Sequence, residues 1–288
     1  MFGDSGGNEK KYPRLENASR IAERLRGRIK ERTGVPEMPT GIRSLDDKIF
    51  GLHRKELAVI SGKPSDGKST LLYQIAGECA DKHFMTVLIS LETSNESNLE
   101  RMFCGMMEQD GWQLRTGKIP VDFDAKFTFF ENWLKGVSMV LVDDYAYTPE
   151  ECRILLSEID LKPDVIMLDY IQLTRSGAGI KKNEAIAAYL QIFKEMAMHN
   201  NAAALIASQL NVEGETKWCS EIFEMADTVL ECRWPYRHDE EEKDMSKHFV
   251  TVKKQKHGSL GKIELKFTPA QFRLEDLPLY AESEKYFV

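Results

Sequence analysis

The stretch Gly62-Lys63-Pro64-Ser65-Asp66-Gly67-Lys68-Ser69 fits the pattern G-x-x-x-x-G-K-[ST] without a mismatch. The apolar run Leu57-Ala58-Val59-Ile60 precedes it, and Thr70-Leu71-Leu72-Tyr73-Gln74-Ile75 follows, which predicts a strand before the motif and a helix after it. Glycines let such a loop curl so that successive backbone N–H groups point at a phosphate, and the helix N-terminus adds partial positive charge. Gly62, Ser65, Asp66, Gly67, Lys68, Ser69 and Thr70 are therefore the candidate nucleotide-binding residues. The Lys68 ammonium is expected to reach the β- and γ-phosphates, and the Ser69 hydroxyl to bind Mg²⁺.

Outward from this loop, apolar runs alternate with helical patterns. Strands are predicted at 57–60, 86–89, 139–142, 165–168, 203–207 and 228–230, and helices at 69–80, 94–108, 148–158, 183–199 and 219–225. This alternation implies an α/β fold with a mainly parallel central sheet and helices on both faces. Residues 248–254 and 262–267 read as an antiparallel strand pair joined by a Gly-rich turn, and the acidic run 239–244 as a solvated loop. Upstream, 14–32 reads as a basic amphipathic helix carrying Leu15, Ala18, Ile21, Ala22, Leu25 and Ile29 on one stripe. Pro36 and Pro39 make the following connector stiff. The predicted organisation is a disordered 1–13, a helix and connector at 14–40, and one body at 41–288.

The chain has 288 residues, 42% hydrophobic and 30% charged, which excludes global disorder and a disulfide-held mini-protein. Its net charge of −7 (39 − 46) excludes a uniformly basic nucleic-acid coat but leaves room for a local basic channel. No apolar run spans a bilayer, and the first residues carry no secretory h-region. Five scattered cysteines without a C-x-x-C pair fit reduced, buried thiols in a cytosolic compartment.

A nucleoside triphosphatase also needs carboxylates. Asp169 ends the apolar run 165–168, where a parallel strand opens on the ligand crevice, and is the candidate for orienting the metal. Glu92, just beyond the strand at 86–89, is the candidate base for the attacking water, and Asp143 and Asp144, ending the strand at 139–142, compete for both carboxylate roles. Gln209, in Ser208-Gln209-Leu210-Asn211 at the end of the strand at 203–207, can donate to a γ-phosphate, and the residues alone equally read as a turn-forming polar cluster.

Together these segments resemble the RecA-like motor domain of DnaB-type replicative helicases. The resemblance runs from about residue 15 to about 275. It rests on the P-loop, Ser90-Leu91-Glu92, Val142-Asp143-Asp144, Leu168-Asp169-Tyr170-Ile171-Gln172-Leu173, Ser208-Gln209-Leu210-Asn211, Ala226-Asp227 and Lys254-Gln255-Lys256-His257-Gly258, in that order. It implies a hexameric ATPase that moves on single-stranded DNA and unwinds duplex during replication in the cytoplasm of a bacterial or phage-infected cell. Glu92 becomes the water-activating base and Gln209 the γ-phosphate sensor. Lys256, with Lys254 beside it, stands where the family has an arginine finger acting on the neighbouring subunit. Two loops would face DNA, one with Arg175, Lys181 and Lys182, the other with Lys217 and Ser220. The helix at 14–32 matches the family's linker helix, and the expected form lacks the N-terminal collar domain, as in phage or plasmid proteins. Primase or a helicase loader are the implied protein partners. A RecA/RadA-like recombinase and a nucleotide-switched regulatory or loader module are the alternatives.

Overall fold

The computed structural model describes residues 17–143, 147–158, 162–210 and 219–278, with the backbone alone at Glu158, Cys219 and Ser220. The predicted disorder of 1–13 lies outside these residues, as do Asp144, Asn211 and Lys217. Two compact units are distinguished, Met1–Val35 and Pro36–Val288.

In the first unit the helix α1 (Ala18–Lys30) falls inside the predicted span. The Asn17 side chain accepts the Ser19 N–H at 2.9 Å, satisfying one of the donors a helix start leaves open. Arg28 and Lys30 in the last turn complement the helix dipole.

The second unit opens before the predicted boundary at 41. Met38 bridges to Leu52, and Met38 and Thr40 are fully buried. Its elements follow as α2 (Arg43–Ile49), β1 (Leu57–Gly62), α3 (Lys68–Asp81), β2 (Thr86–Ser90), α4 (Asn95–Met107), α5 (Gly111–Arg115), α6 (Phe123–Gly136), β3 (Met139–Asp143), α7 (Pro149–Glu158), β4 (Val165–Asp169), α8 (Lys182–Asn200), β5 (Ala203–Gln209), α9 (Cys219–Met225), β6 (Thr228–Arg233), β7 (Lys247–Lys254), β8 (Gly261–Thr268) and β9 (Arg273–Asp276). The described strands form one sheet in the order β3-β2-β4-β5-β1-β6-β7-β8-β9. The strands β3 to β6 pair in parallel, and β7, β8 and β9 continue antiparallel from β6. The C-terminal addition is thus three strands, one more than the predicted pair.

Strand alternation divides the core in two. Ala58, Ile60, Val165 and Met167 face the layer built with α3, α4 and α6, where Leu71, Ile75, Phe103 and Phe130 are buried. Leu57, Val59, Ile166 and Leu168 face α7, α8 and α9, against Leu156, Tyr189, Phe193 and Ile222. Burying both faces is why these strands read as unbroken apolar runs. Each buried Val, Leu, Ile, Phe or Met side chain among them contributes about 1.5–3 kcal/mol over leaving it in water. Cys79, Cys104, Cys152 and Cys232 are buried and free, as expected, with their thiols pushed up to about 12 by desolvation. Among the described residues no helix is long and apolar enough to cross a membrane.

Candidate active site

The sheet register brings the carboxyl ends of four neighbouring parallel strands to one level. Gly62 of β1 stands opposite Gln209 of β5, and Ser90 of β2 stands opposite Asp169 of β4. A cavity of about 840 Å³ opens above these ends. Ser65, Gly67, Lys68, Ser69, Thr70, Glu92 and Gln209 line it, and Arg101, Tyr170 and Phe272 complete its walls. Asp169 lies buried at the carboxyl end of β4.

The loop between β1 and α3 curls through two left-handed residues, Ser65 at φ 67° and Gly67 at φ 77°. Glycine at 62 has a packing cause, because a Cβ there would meet the Cys232 carbonyl oxygen of β6 at 2.8 Å. Asp66 points inward. Its Oδ2 accepts the Lys63 N–H at 2.9 Å, and its Oδ1 accepts the Trp234 N–H at 3.0 Å with His238 Nε2 at 2.8 Å. Its carbonyl oxygen lies 2.8 Å from Nε2 of His248, which is fully buried. Asp66 therefore braces the loop, and its carboxylate faces away from the cavity that its neighbours line.

Lys68 is buried, and its Nζ donates to the Lys63 carbonyl at 2.8 Å. Burial lowers its pKa, opposed by Cys232, Asp66, Asp169 and Glu92. Asp169 is pushed the other way: burial raises its pKa, against the Tyr73 and Ser69 hydroxyls and the Arg101 and Lys68 cations. The Tyr73 hydroxyl lies 2.8 Å from both Asp169 Oδ2 and Asn98 Oδ1, so its single proton is shared. Oδ1 of Asp169 is buried with no hydrogen-bond partner. Burial and the Asp169 charge raise the Glu92 pKa, while Arg101 and Lys68 pull it back. Asp143, by contrast, caps α4: its Oδ2 accepts the Asn95 N–H at 2.5 Å and its Oδ1 the Asn95 amide at 2.9 Å. Of the two described candidate bases, Glu92 lines the cavity and Asp143 is engaged elsewhere.

The unpartnered Asp169 oxygen beside the Ser69 hydroxyl offers hard donors of the kind Mg²⁺ takes. No cluster of three or more His, Cys, Asp or Glu suited to a metal is found among the described residues. The remaining ligands would have to be phosphate and water oxygens.

Lys254 and Lys256 lie at the other end of the sheet. Lys256 Nζ pairs with Asp227, which accepts the Leu57 N–H at the amino end of β1, and Lys254 Nζ donates to the Phe223 carbonyl. Leu57 and Gly62 are five residue steps apart along β1, about 16 Å at 3.3 Å per step. Neither lysine is near its own phosphate loop. In the loop before α8, Arg175 and Lys181 are exposed, whereas Lys182 is half-buried with its ammonium on the Thr174 carbonyl and its pKa lowered by burial. Ser220 falls in α9.

Sequence reading left Tyr73, Arg101 and the Asp66 partners Trp234, His238 and His248 without a role. Tyr73 follows Ser69 by four residues, so helical spacing alone puts both on one face of α3. The Asp66 partners carry no local signal, because the contacts span 168 residues and more.

Fold and site together define a P-loop domain of the RecA-like class. A family model described as DnaB-like helicase C terminal domain matches residues 37–276, and the chain belongs to that family. It is similar to the replicative DNA helicase DnaB of Haemophilus influenzae, with 24% identity over 277 residues, covering 90% of this chain and 58% of that protein. Against DnaB of Geobacillus stearothermophilus it shows 29% identity over 266 residues, covering 85% and 57%. The chain thus spans somewhat over half the length of these curated relatives. Two solved structures share the fold. One is a DnaB-like replicative helicase described with its interactions with primase (TM-score 0.82, 18% identity, 91% of this chain and 68% of that one). The other is an ATPase domain matched over its whole length (TM-score 0.84, 17% identity, 92% of this chain and 100% of that one).

Proposed function

We propose that this chain is the ATP-hydrolysing motor of a ring-forming helicase that tracks on single-stranded DNA and separates the duplex during replication in the cytoplasm. The observation that carries this reading is the convergence of Lys68, Asp169, Glu92 and Gln209 on the carboxyl ends of β1, β4, β2 and β5. The 62–69 backbone and the α3 N-terminus hold the β-phosphate, and Lys68 exchanges its Lys63 carbonyl for a phosphate oxygen. Ser69 and Asp169 would hold Mg²⁺, which neutralises charge across the β- and γ-oxygens when bound. Glu92, with its raised pKa, accepts the proton of the attacking water, and the Gln209 amide donates to the terminal phosphate.

Lys256, with Lys254 beside it, pairs with Asp227 at the amino end of β1, about 16 Å by strand length from its own loop, so the loop it serves is that of a second copy. A closed heterologous interface of this kind gives a ring, here a homo-hexamer. Exposed Arg175 and Lys181 supply DNA contact, Lys182 braces their loop, and Lys217 and Ser220, the latter at the start of α9, are the further proposed DNA contacts. Primase or a loader is the proposed protein partner. That reading draws support from the structural neighbour described with primase.

Phosphate release and strand separation, measured with and without single-stranded DNA, test the reading. DNA should accelerate release, and both activities should vanish in Lys68→Ala. Equal rates with and without DNA would overturn it.

A further inference from the structure

Beyond Ile206 the strand β5 loses its neighbour. Its last pair with β4 is Ile206 with Leu168, while on the other side it stays paired with β1 as far as Gln209. After Asp169 the chain leaves β4 for a short 3-10 turn, Ile171–Leu173. The carboxamide of Gln172, from that turn, takes the place of the missing strand. Its Oε1 accepts the Gln209 N–H at 2.8 Å. Its Nε2 donates to the Gln209 carbonyl at 3.1 Å and to the Ser208 hydroxyl at 2.8 Å. One side chain thus supplies the acceptor and donor that a peptide of β4 would have offered, and the backbone of Gln209 has no unmet bond on that side.

Two residues further on, Thr174 is buried and fixed. Its hydroxyl donates to the Ile171 carbonyl at 2.7 Å, and its own carbonyl accepts the Lys182 ammonium. The loop carrying exposed Arg175 and Lys181 departs from this anchor. Gln172 is therefore bonded to the phosphate-facing end of β5 and sits in the turn that launches the basic loop.

We propose that Gln172 is a positioning residue that couples Gln209 to the loop 174–183, so that the presence of a terminal phosphate changes the grip of that loop on single-stranded DNA. The proposal rests on the roles given to Gln209 and to this loop under the proposed function. A shift of the Gln209 backbone toward a γ-phosphate must either break its two hydrogen bonds to Gln172 or carry Gln172 with it. Breaking them leaves the Gln209 N–H and carbonyl without partners on that side.

The test is the ratio of oligo-dT affinities in a non-hydrolysable ATP analogue and in ADP, read by fluorescence anisotropy of the full chain. Couplings of this kind fall at about 5- to 150-fold. Gln172→Glu keeps the shape but turns both Nε2 donors into an acceptor, and should lower the ratio at least fivefold. Ser208→Ala removes one bond only and should lower it less, which keeps the proposal open to test if the first variant does not fold. In a Gln209→Ala background, Gln172→Glu should change the ratio no further. If Gln209→Ala collapses the ratio while Gln172→Glu and Ser208→Ala leave it unchanged, the proposal is overturned and the Gln209 role stands. If Gln209→Ala itself leaves the ratio unchanged, the Gln209 role fails and the coupling falls with it.

Discussion

Asp66 Oδ1 stands 2.8 Å from His238 Nε2, and the two residues are 172 positions apart in the chain. The contact joins the phosphate loop to the segment that follows β6, and the same carboxylate holds the Lys63 and Trp234 N–H groups. A loop that must present several N–H groups to one anion gains from being fixed beforehand, and Asp66 is the strut that fixes it.

Asp66→Ala therefore leaves a buried N–H group, a half-buried one and a histidine without their acceptor. Two unmet donors at about 1–3 kcal/mol each cost about 2–6 kcal/mol, so nucleotide affinity should fall by at least about 10-fold, in a titration with a fluorescent ATP analogue. Asp66→Asn keeps one acceptor oxygen and should fall between. An Asp66→Ala protein that binds within twofold of the parent shows that the loop needs no such brace.

Glu92 has its pKa raised, first by burial and then by Asp169. A general base works only when deprotonated, so the acid limb of the hydrolysis profile should lie above the ordinary glutamate range. Phosphate release measured from pH 5 to pH 8 should show that limb. Glu92→Gln should abolish it and cost about 10²- to 10⁴-fold in turnover while nucleotide affinity holds. A full-rate Glu92→Gln enzyme would assign the base elsewhere.

The predicted parallel strands, the phosphate loop and the strand-end positions of Glu92, Asp169 and Gln209 were legible because strands buried on both faces read as apolar runs with polar residues at their ends. Other elements needed the tertiary structure. β9 has one buried apolar residue, Leu274, and exists because β8 offers it an edge and Gln74 satisfies its outer side, donating to the Leu274 carbonyl at 2.8 Å and accepting its N–H at 3.1 Å. α2 is seven residues long and depends on Asp276, which accepts the Arg43 and Ser44 N–H groups from 232 positions away and more. α6 did carry a readable signal, since Phe123, Phe127, Phe130 and Trp133 recur at helical spacing and their rings cluster with Phe103.

Asp46 has its pKa raised to about 6, chiefly by burial, although it accepts the Thr40 N–H at 2.8 Å. Its folded pKa lies above its unfolded one. The stability it contributes is present below about pH 4 and is lost as pH rises through about 6. Asp46→Asn retains an acceptor for Thr40 without the charge. It should raise stability at neutral pH by on the order of 1–2 kcal/mol and flatten the fall between about pH 4 and about pH 6. Thermal melts across that range test this, and a variant whose curve parallels the parent's refutes it.

Lys256 bears on whether one chain can complete a site. It is paired with Asp227 at the amino end of β1, about 16 Å along the strand from Gly62, so removing it leaves that chain's own loop intact. Lys256→Ala chains should bind nucleotide normally yet hydrolyse it slowly, and Lys68→Ala chains should do neither while still presenting Lys256. Mixed in equal amounts and reassembled, the two inactive proteins should form sound interfaces wherever a Lys256→Ala loop meets the Lys256 of a Lys68→Ala neighbour, about a quarter of all interfaces in a randomly filled ring. DNA-stimulated phosphate release should reappear in proportion. If the mixture stays as inactive as either parent while Lys256→Ala alone has lost hydrolysis, the cation acts within its own chain and the site does not lie between subunits.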